Sequence, residues 1–518
     1  MRSRSRAPLG ALALLLGLVA LVLCLKFSAA PVGSVPARDP DTGERLVVQG
    51  LVCEREGPLA GARVRFKGDA ESVMTDARGH FQLSGRPKAI SRVTAWKEGY
   101  LVGGASLDDG PLLLTLRPLP RNDDEEYLWV DPAPDPRGRH NCANCHGEIY
   151  REWQRSGHAQ SATGRHFLNL YLGTNWDGKP GNGWSLLGQH PDGSGVCTAC
   201  HAPTVAPGNP ARFDLSKVQG VDSRGVHCDY CHKVSGDGGG RLGYTHGHYK
   251  LNLRRPASGE QLFFGPLDDV DRGEDTYSAF YKDSRYCAAC HEGVVFGVHV
   301  YSTYSEWRDS PAGKRGQHCQ DCHMRPTGTM TNLAPGKGGV ERNPLTLGNH
   351  LFFAGSHEAM LRDCVRLSAT LRREVNTVRA DVSLRAERVG HRVPTGFVDR
   401  HLLLVVEGLD AAGKPVALRA GPVLPGVAGP ELAGRPGKLY AKLLKDFEGK
   451  SPAPFWRADA DAVDTRLYPG RTEHLHFEYP PELRRLLVRV LYRRFWQEVV
   501  RSKGWPDKDI IVAERTVE

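Results

Sequence analysis

The sequence of 518 residues lacks a strong excess of charge of either sign and, with one exception, lacks long apolar runs. Its 68 lysines and arginines and 59 aspartates and glutamates leave a formal net charge of +9, which gives no reason to infer binding to nucleic acid. Hydrophobic residues make up 40% and charged residues 25%, the proportions of a folded globular chain. The length allows three domains of ordinary size.

The exception is the uncharged run of residues 9–25, which three arginines precede. Its 17 residues reach the lower limit for a membrane span and exceed the usual apolar part of a cleaved signal peptide. We therefore expect residues 1–30 to be a signal anchor, with a cleaved signal peptide as the alternative. By the positive-inside rule, the rest of the chain then lies on the periplasmic side of the inner membrane, anchored by residues 9–25.

Cysteine is concentrated in one part of the chain, where the sequence reads Cys-x-x-Cys-His five times. The cysteine pairs are Cys142 and Cys145, Cys197 and Cys200, Cys228 and Cys231, Cys287 and Cys290, and Cys319 and Cys322. The histidines that directly follow are His146, His201, His232, His291 and His323. Two thiols at this spacing can add across the two vinyl groups of a haem, and the following histidine then binds the iron as the proximal axial ligand.

Other uses of paired cysteines explain the pattern less well. Zinc sites and redox Cys-x-x-Cys motifs also pair cysteines, but neither requires a histidine directly after the second cysteine at all five sites. We therefore expect five covalently attached haem c groups. The remaining cysteines, Cys24, Cys53 and Cys364, lie in separate regions and are expected to be small buried apolar side chains.

The haem motifs lie in a segment that shows signs of internal duplication. Successive first cysteines are 55, 31, 59 and 32 residues apart, which alternates long and short spacings. The pattern Tyr-x-Glu-Trp-x-x-Ser also occurs twice, at residues 150–156 and 304–310. We expect both copies to form short helices whose tryptophan packs on a porphyrin. His158 follows the first copy, and the second copy has no histidine at that place.

Low-spin haem usually has two axial protein ligands, so five proximal histidines require five distal partners. The sequence offers more candidates than this number: His158, His166, His190, His227, His246, His248, His299, His350, His357 and His391. For a histidine outside a recognisable motif, a role as a polar surface residue is about as good an explanation as a role as an iron ligand.

Four segments of the chain resemble one family. Residues 142–158, 304–324, 349–357 and 390–396 are similar to segments of the multihaem cytochromes related to cytochrome c-554 and hydroxylamine oxidoreductase. The resemblance extends from about residue 139 to the end of the chain. It implies that His158, His350 and His391 are the better distal ligands, that His248 is a weaker candidate, and that His299 or His357 completes the set.

The amino-terminal region resembles a second family. Segments 50–52, 58–64, 75–81 and 99–100 are similar to the carboxypeptidase regulatory-like domain, which is a transthyretin-like β-sandwich. This resemblance implies a structural or docking module without catalysis.

Together these features predict a multidomain fold. The expected parts are the signal segment in 1–30, the β-sandwich in 45–118, a polar, proline-rich linker in 119–138, the five-haem cytochrome c domain in 139–364 and a β-rich domain in 365–518. We expect short helices and little regular structure in the haem domain, because porphyrins supply much of its core. Alternating apolar residues at 377–386 and an apolar run at 401–406 predict a second β-sandwich at the carboxy terminus.

The expected function is electron transfer through the five haems, between redox partner proteins or from a quinol-linked membrane complex. The alternative is an oxidoreductase that acts on a small nitrogen or sulfur compound at one open haem. Related nitrite reductases carry a lysine in place of the proximal histidine at the active haem, whereas all five motifs here end in histidine. Hydroxylamine-oxidising relatives need a cross-linked tyrosine, and nothing marks Tyr281, Tyr286 or Tyr301 for that role. Both departures favour electron transfer, and no catalytic residue is assigned.

Overall fold

The structure is a computed structural model, and it describes residues 46–85, 92–107, 112–138, 140–205, 213–239, 251–354, 357–459 and 463–518. The predicted signal anchor in 1–30 and the ligand candidates His246 and His248 lie outside these ranges. Among the described residues, no helix combines the length and the apolar character that a membrane crossing needs.

The amino-terminal region forms two four-stranded sheets. Its strands are β1 (Leu46–Glu54), β2 (Gly57–Pro58), β3 (Arg63–Phe66), β4 (Val73–Met74), β5 (His80–Gly85), β6 (Arg92–Trp96), β7 (Gly103–Ser106) and β8 (Leu112–Thr115). One sheet has the order β2-β1-β5 with β8 paired to β1, and the other has the order β4-β3-β6-β7. Val52, Phe81 and Leu114 of the first sheet share a buried core with Val64 and Phe66 of the second. The two layers agree with the expected sandwich, and the transthyretin-like type stays a prediction.

The central segment contains only short elements. Its helices are α1 (Gly147–Gln154), α2 (Arg165–Leu172), α3 (Leu186–Gln189), α4 (Thr198–His201), α5 (Cys228–Cys231), α6 (Arg285–His291), α7 (Thr303–Arg308), α8 (Pro311–Lys314), α9 (Cys319–His323) and α10 (Glu358–Asp363). Its strands form the two-stranded sheets β9 (Val234–Asp237) with β10 (Leu251–Leu253), β11 (Phe263–Gly265) with β12 (Asp275–Tyr277), and β13 (Glu292–Val295) with β14 (Val298–Ser302). The prediction of short helices and little regular structure is confirmed.

The carboxy-terminal region contains two larger sheets. Its elements are β15 (Val365–Arg373), β16 (Val378–Ala386), β17 (His401–Leu409), β18 (Gly437–Tyr440), β19 (Lys442–Leu443), β20 (Val463–Asp464), β21 (Thr472–Tyr479), β22 (Arg485–Arg493), α11 (Gln497–Lys503) and β23 (Ile510–Val517). The sheets have the orders β15-β16-β21 and β18-β17-β22-β23. Val382 and Phe477 of the first pack with Leu404 and Val488 of the second in one buried core. The predicted strands are present, and the alternation at residues 377–386 correctly marked which side chains are buried.

Ion pairs connect the amino-terminal sheets to an acidic loop of the central segment, which is defined by Asp268, Asp269 and Asp271. The basic side chains that pair with it are Arg63 and Arg65 on Asp268, Lys67 and Arg92 on Asp271, and Arg342 on Asp269. The Lys67 ammonium lies 2.8 Å from Asp271, and both side chains are nearly buried. Burial strengthens such pairs because water screens them less.

The predicted linker of residues 119–138 packs against the central segment. The Tyr127 hydroxyl donates to the Asp229 carboxylate at 3.0 Å, and the Val130 amide donates to the same oxygen at 2.8 Å. Asp123 accepts hydrogen bonds from the Arg255 guanidinium and from the Arg255 amide. The sequence predicted a polar, proline-rich linker here, and these contacts fix the position of the linker against the central segment.

Candidate haem sites

The five motifs coincide with single turns of helix. The second to fifth motifs lie on α4, α5, α6 and α9, and a 3₁₀ turn at Cys142–Asn144 starts the first. Residues three apart in a helical turn lie on the same face, so each motif presents both thiols to one side and its histidine beside them. None of the ten motif cysteines is in a disulfide, so both sulfurs of each motif are available for attachment. This is the arrangement that thioether attachment to one porphyrin requires.

Backbone carbonyls fix the orientation of the motif histidines. Among the described residues, the Nδ1 atoms that meet a carbonyl oxygen are those of His146 with Leu333, His201 with Ser161, His232 with Phe264 and His323 with Phe353. A carbonyl only accepts, so each Nδ1 carries the proton and donates it. The lone pair of each ring is therefore on Nε2, and such partners commonly set the tautomer of metal-binding histidines.

Burial keeps these imidazoles neutral. Burial lowers the pKa of His146, His201, His232 and His323 below the ordinary value, and it lowers the pKa of His291 to about 3. Only a neutral imidazole has a nitrogen lone pair to give to a metal. The five motif histidines are therefore in the form that binds iron.

Two distal candidates lie opposite motif histidines. The ring centroids of His158 and His291 are 6.2 Å apart, and those of His391 and His323 are 6.1 Å apart with the ring planes 20° from parallel. A metal–imidazole bond is about 2 Å long, and the ring centroid lies about 1 Å further, so two imidazoles on one metal have centroids roughly 6 Å apart. Both pairs fit a haem iron between them.

His350 is a third candidate. It is half-buried, its buried Nδ1 has no hydrogen-bond partner among the described residues, and burial lowers its pKa to about 3. His232 and His146 are close enough that their charges would lower the pKa of His350 further. The ring therefore lies near the histidines of the first and third motifs.

The remaining candidates have other partners. His299 Nε2 lies 2.6 Å from a carboxylate oxygen of Glu292, and His357 Nδ1 accepts from the Met360 amide at 3.3 Å. Two further candidates are also engaged: His166 Nε2 lies 2.6 Å from Asp507, and His190 Nε2 lies 2.6 Å from the Trp456 carbonyl. His227 packs edge-on against Trp129, but neither of its ring nitrogens has a hydrogen-bond partner among the described residues. The structure thus separates His158, His350 and His391 from His166, His190, His299 and His357, and it leaves His227 as a further buried histidine without a polar partner.

Comparison with known proteins gives two matches. Residues 141–233 match the family model for cytochrome c554 and c-prime. The crystal structure of a penta-heme cytochrome c552 from Thermochromatium tepidum is 26% identical in sequence, with a TM-score of 0.52 over 72% of this chain and 97% of that chain. Both matches support a multihaem c-type cytochrome. No curated protein matches the sequence of the cytochrome. The carboxypeptidase regulatory-like resemblance of its amino-terminal region stays a prediction.

Contacts between thiols show which motifs of the cytochrome are neighbours. The sulfur of Cys142 lies close to that of Cys228, and the sulfur of Cys287 lies close to that of Cys319. The first motif therefore lies beside the third, and the fourth lies beside the fifth. Cysteines of the second, third and fourth motifs, Cys200, Cys231 and Cys290, lie near the half-buried Tyr230. The five motifs of the cytochrome thus form one connected group.

The sequence analysis missed part of what the repeated motif does. Trp153 Nε1 donates to the Val226 carbonyl at 2.9 Å, and Trp307 Nε1 donates to the Gln317 carbonyl at 2.6 Å. Val226 and Gln317 each lie two residues before a first cysteine, Cys228 and Cys319. The two tryptophans therefore hold the start of the third and fifth motifs. The repeated pattern itself was recognisable in the sequence. The carbonyl groups that the two tryptophans contact could not be predicted from it.

Proposed function

We propose that the cytochrome binds five haem c groups and transfers electrons between redox partners. Bound haem supplies reversible one-electron chemistry at its iron. The observation that carries the proposal is the opposition of His158 to His291 and of His391 to His323 at about 6 Å. Two protein ligands close both axial positions of an iron, which suits electron transfer better than substrate binding.

The protein supports this function by holding the cofactors rigidly. In each motif the cysteines would form two thioether bonds, and the carbonyl contacts of the motif histidines would keep Nε2 directed at the iron. Tyr281 and Tyr286 both donate to the Cys231 carbonyl, at 2.6 Å and 2.8 Å, and both side chains are half-buried beside the third motif. Contact between neighbouring motifs favours a continuous series of cofactors.

The location and partners of the cytochrome are also proposed. Residues 9–25 would anchor it to the inner membrane with the haem motifs on the periplasmic side, where a quinol-linked membrane complex or periplasmic redox proteins would exchange electrons with it. Fractionation of cells that express the full chain tests the anchor. We expect the cytochrome in the membrane fraction, and removal of residues 1–30 behind a cleavable signal peptide should release it.

Haem content tests the proposed number. We expect the intact mass of the purified protein to exceed that of the polypeptide by five haems, and a pyridine haemochrome assay to give five haems per chain. Replacing both cysteines of one motif, as in Cys197→Ala with Cys200→Ala, should remove one haem. A wild-type count below five would contradict the proposal.

A second candidate function is favoured by the surroundings of His201. Its ring stacks on Phe167 at a centroid distance of 4.0 Å, and within the described residues no histidine ring faces it at the spacing of the two pairs. The half-buried Tyr301 phenol lies close to the cysteines of this motif, Cys197 and Cys200, and also close to Arg400. An open iron at this motif would allow oxidoreduction of a small nitrogen or sulfur compound. The candidate predicts one high-spin haem per chain by electron paramagnetic resonance, and an entirely low-spin spectrum would exclude it.

A further inference from the structure

The two copies of the repeated motif each contain a buried glutamate. Glu152 lies on α1 and is 9% exposed, and Glu306 lies on α7 with its side chain 7% exposed. A buried carboxylate is costly unless hydrogen bonds compensate it. The partners of these two carboxylates therefore show what the motif is built to hold.

Glu152 holds the backbone of His350. Its Oε2 accepts a hydrogen bond from the His350 amide at 2.8 Å, although the two residues are far apart in sequence. The contact is made to the main chain, so it fixes the position of His350 and leaves the imidazole free. A charged acceptor makes this bond stronger than an ordinary amide hydrogen bond.

Glu306 holds the loop that carries His391. One carboxylate oxygen accepts from the Thr395 hydroxyl at 2.7 Å. The other lies 2.7 Å from the Arg466 guanidinium, which also donates to the Pro394 carbonyl at 3.2 Å. Pro394 and Thr395 lie three and four residues after His391. The carboxylate thus fixes the loop on which the imidazole is carried.

The equivalence of the two copies is independent of the glutamates. Trp153 and Trp307 make the same contact, each with the carbonyl two residues before the first cysteine of a haem motif, Cys228 and Cys319 respectively, and Ser156 and Ser310 are both buried. The two motifs therefore occupy equivalent positions, which makes a shared role for their glutamates meaningful.

We infer that Glu152 and Glu306 are positioning residues for distal haem ligands, Glu152 for His350 and Glu306 for His391. This inference rests on the proposed function, because it takes the two histidines as iron ligands. It adds that the duplicated segment supplies both the proximal motifs and the carboxylates that dock the distal loops.

The test uses the full-length holoprotein with substitutions at each glutamate. Glu152→Ala removes the acceptor, and Glu152→Gln keeps an oxygen at the same place. We expect the alanine variant to convert one low-spin haem per chain to high spin by electron paramagnetic resonance, and the glutamine variant to stay low-spin. Glu306→Ala should convert a different haem, and both conversions should appear in the double variant.

Two comparisons separate positioning from general structural damage. The Glu152→Ala spectrum should match that of His350→Ala, and added imidazole should restore the low-spin signal in both. The matched control is Gln154→Ala, which changes an exposed residue of the same helix two positions after Glu152 and should change nothing. If Glu152→Ala does not fold, Glu152→Asp withdraws the carboxylate by one methylene and should raise the high-spin fraction.

The outcomes are distinguishable. Alanine and aspartate variants that remain entirely low-spin, or that lose all haem signals together while imidazole restores none, would overturn the inference. If the His350→Ala and His391→Ala variants instead keep every haem low-spin, the ligand assignment of the proposed function is wrong.

Discussion

The rings of His158 and His291 face each other with centroids 6.2 Å apart, although they belong to opposite halves of the duplicated segment. His158 follows the first copy of the repeated motif, whereas His291 ends the fourth haem motif, ahead of the second copy. The first half of the segment would thus supply a ligand to a haem of the second half. In this arrangement neither half can bind its full set of ligands alone.

Replacing this distal ligand should change one haem only. Methionine raises the reduction potential of a haem relative to bis-histidine ligation, and axial ligands set potentials over a range of about 0.8 V. We expect His158→Met to move one potential of the set upward in a spectroelectrochemical titration. His299→Met is the control, because Glu292 occupies His299 Nε2, and it should leave all potentials in place. The opposite pattern would exchange the assignments of the two histidines.

The acidic loop of Asp268, Asp269 and Asp271 should hold the amino-terminal sheets against the central segment. Asp271 is nearly buried and pairs with Lys67 and Arg92, so Asp271→Ala leaves these cations without their partner. Loss of one partner of a buried ion pair costs about 3 kcal/mol or more. We expect a lower melting temperature and faster limited proteolysis between residues 107 and 138. Asp135→Ala, which breaks only an exposed contact with Arg137, should change neither, and equal behaviour of the two variants would contradict this role.

A fully buried ion pair beside the third motif should matter for stability. Lys233 and Asp229 are 0% exposed, and Asp229 also accepts from Tyr127 and Val130. We expect Lys233→Met to lower the free energy of unfolding by about 3–5 kcal/mol, because it leaves the buried Asp229 carboxylate without its cation. The double variant with Asp229→Leu should be less destabilised than this single variant. Denaturant unfolding of the holoproteins gives the comparison, and purely additive losses would contradict the coupling.

The anchored linker should respond to acid through Asp123. Burial acts to raise the pKa of Asp123, but hydrogen bonds from Arg255 and the charge of its guanidinium outweigh it and leave the pKa below the ordinary value of 3.8. A lowered carboxyl pKa stabilises the fold fully above the ordinary value, and the stabilisation is lost as the pH falls through the lower value. We expect Asp123→Asn to melt earlier than wild type at pH 5 and the difference to shrink as the pH falls below 3.8 and through the lowered pKa of Asp123. A difference that persists in acid would mean that the carboxylate charge is not the cause.

The proposed haem attachment sites can be assigned from the sequence because their chemistry lies in contiguous residues. Two thioethers and one proximal ligand need Cys-x-x-Cys-His, and the spacing alone identifies them. Distal ligands come from segments far away in sequence. By sequence, His299 was as good a candidate as His357, and only the structure shows Glu292 at its Nε2. The haem motif that each distal histidine faces depends on how the two halves of the duplicated segment pack together. The spacing of residues in the sequence does not determine this packing.

The linker shows a different limit of the sequence. Aspartates and prolines in residues 119–138 are typical of solvated hinges, and this composition concealed the partners of single residues. Tyr127 packs inward because Asp229 needs donors when it is buried beside Lys233. Asp229 lies about a hundred residues after Tyr127, so the composition of the linker could not predict this hydrogen bond.

Protein-film voltammetry of the full-length holoprotein tests the central claim most directly. The account predicts a reversible signal that integrates to five electrons per chain and that nitrite, hydroxylamine and sulfite leave unchanged, because the haems exchange electrons without an open catalytic site. An integrated charge clearly below five electrons, or a catalytic current with any of these compounds, would contradict an electron-transfer cytochrome with five haems.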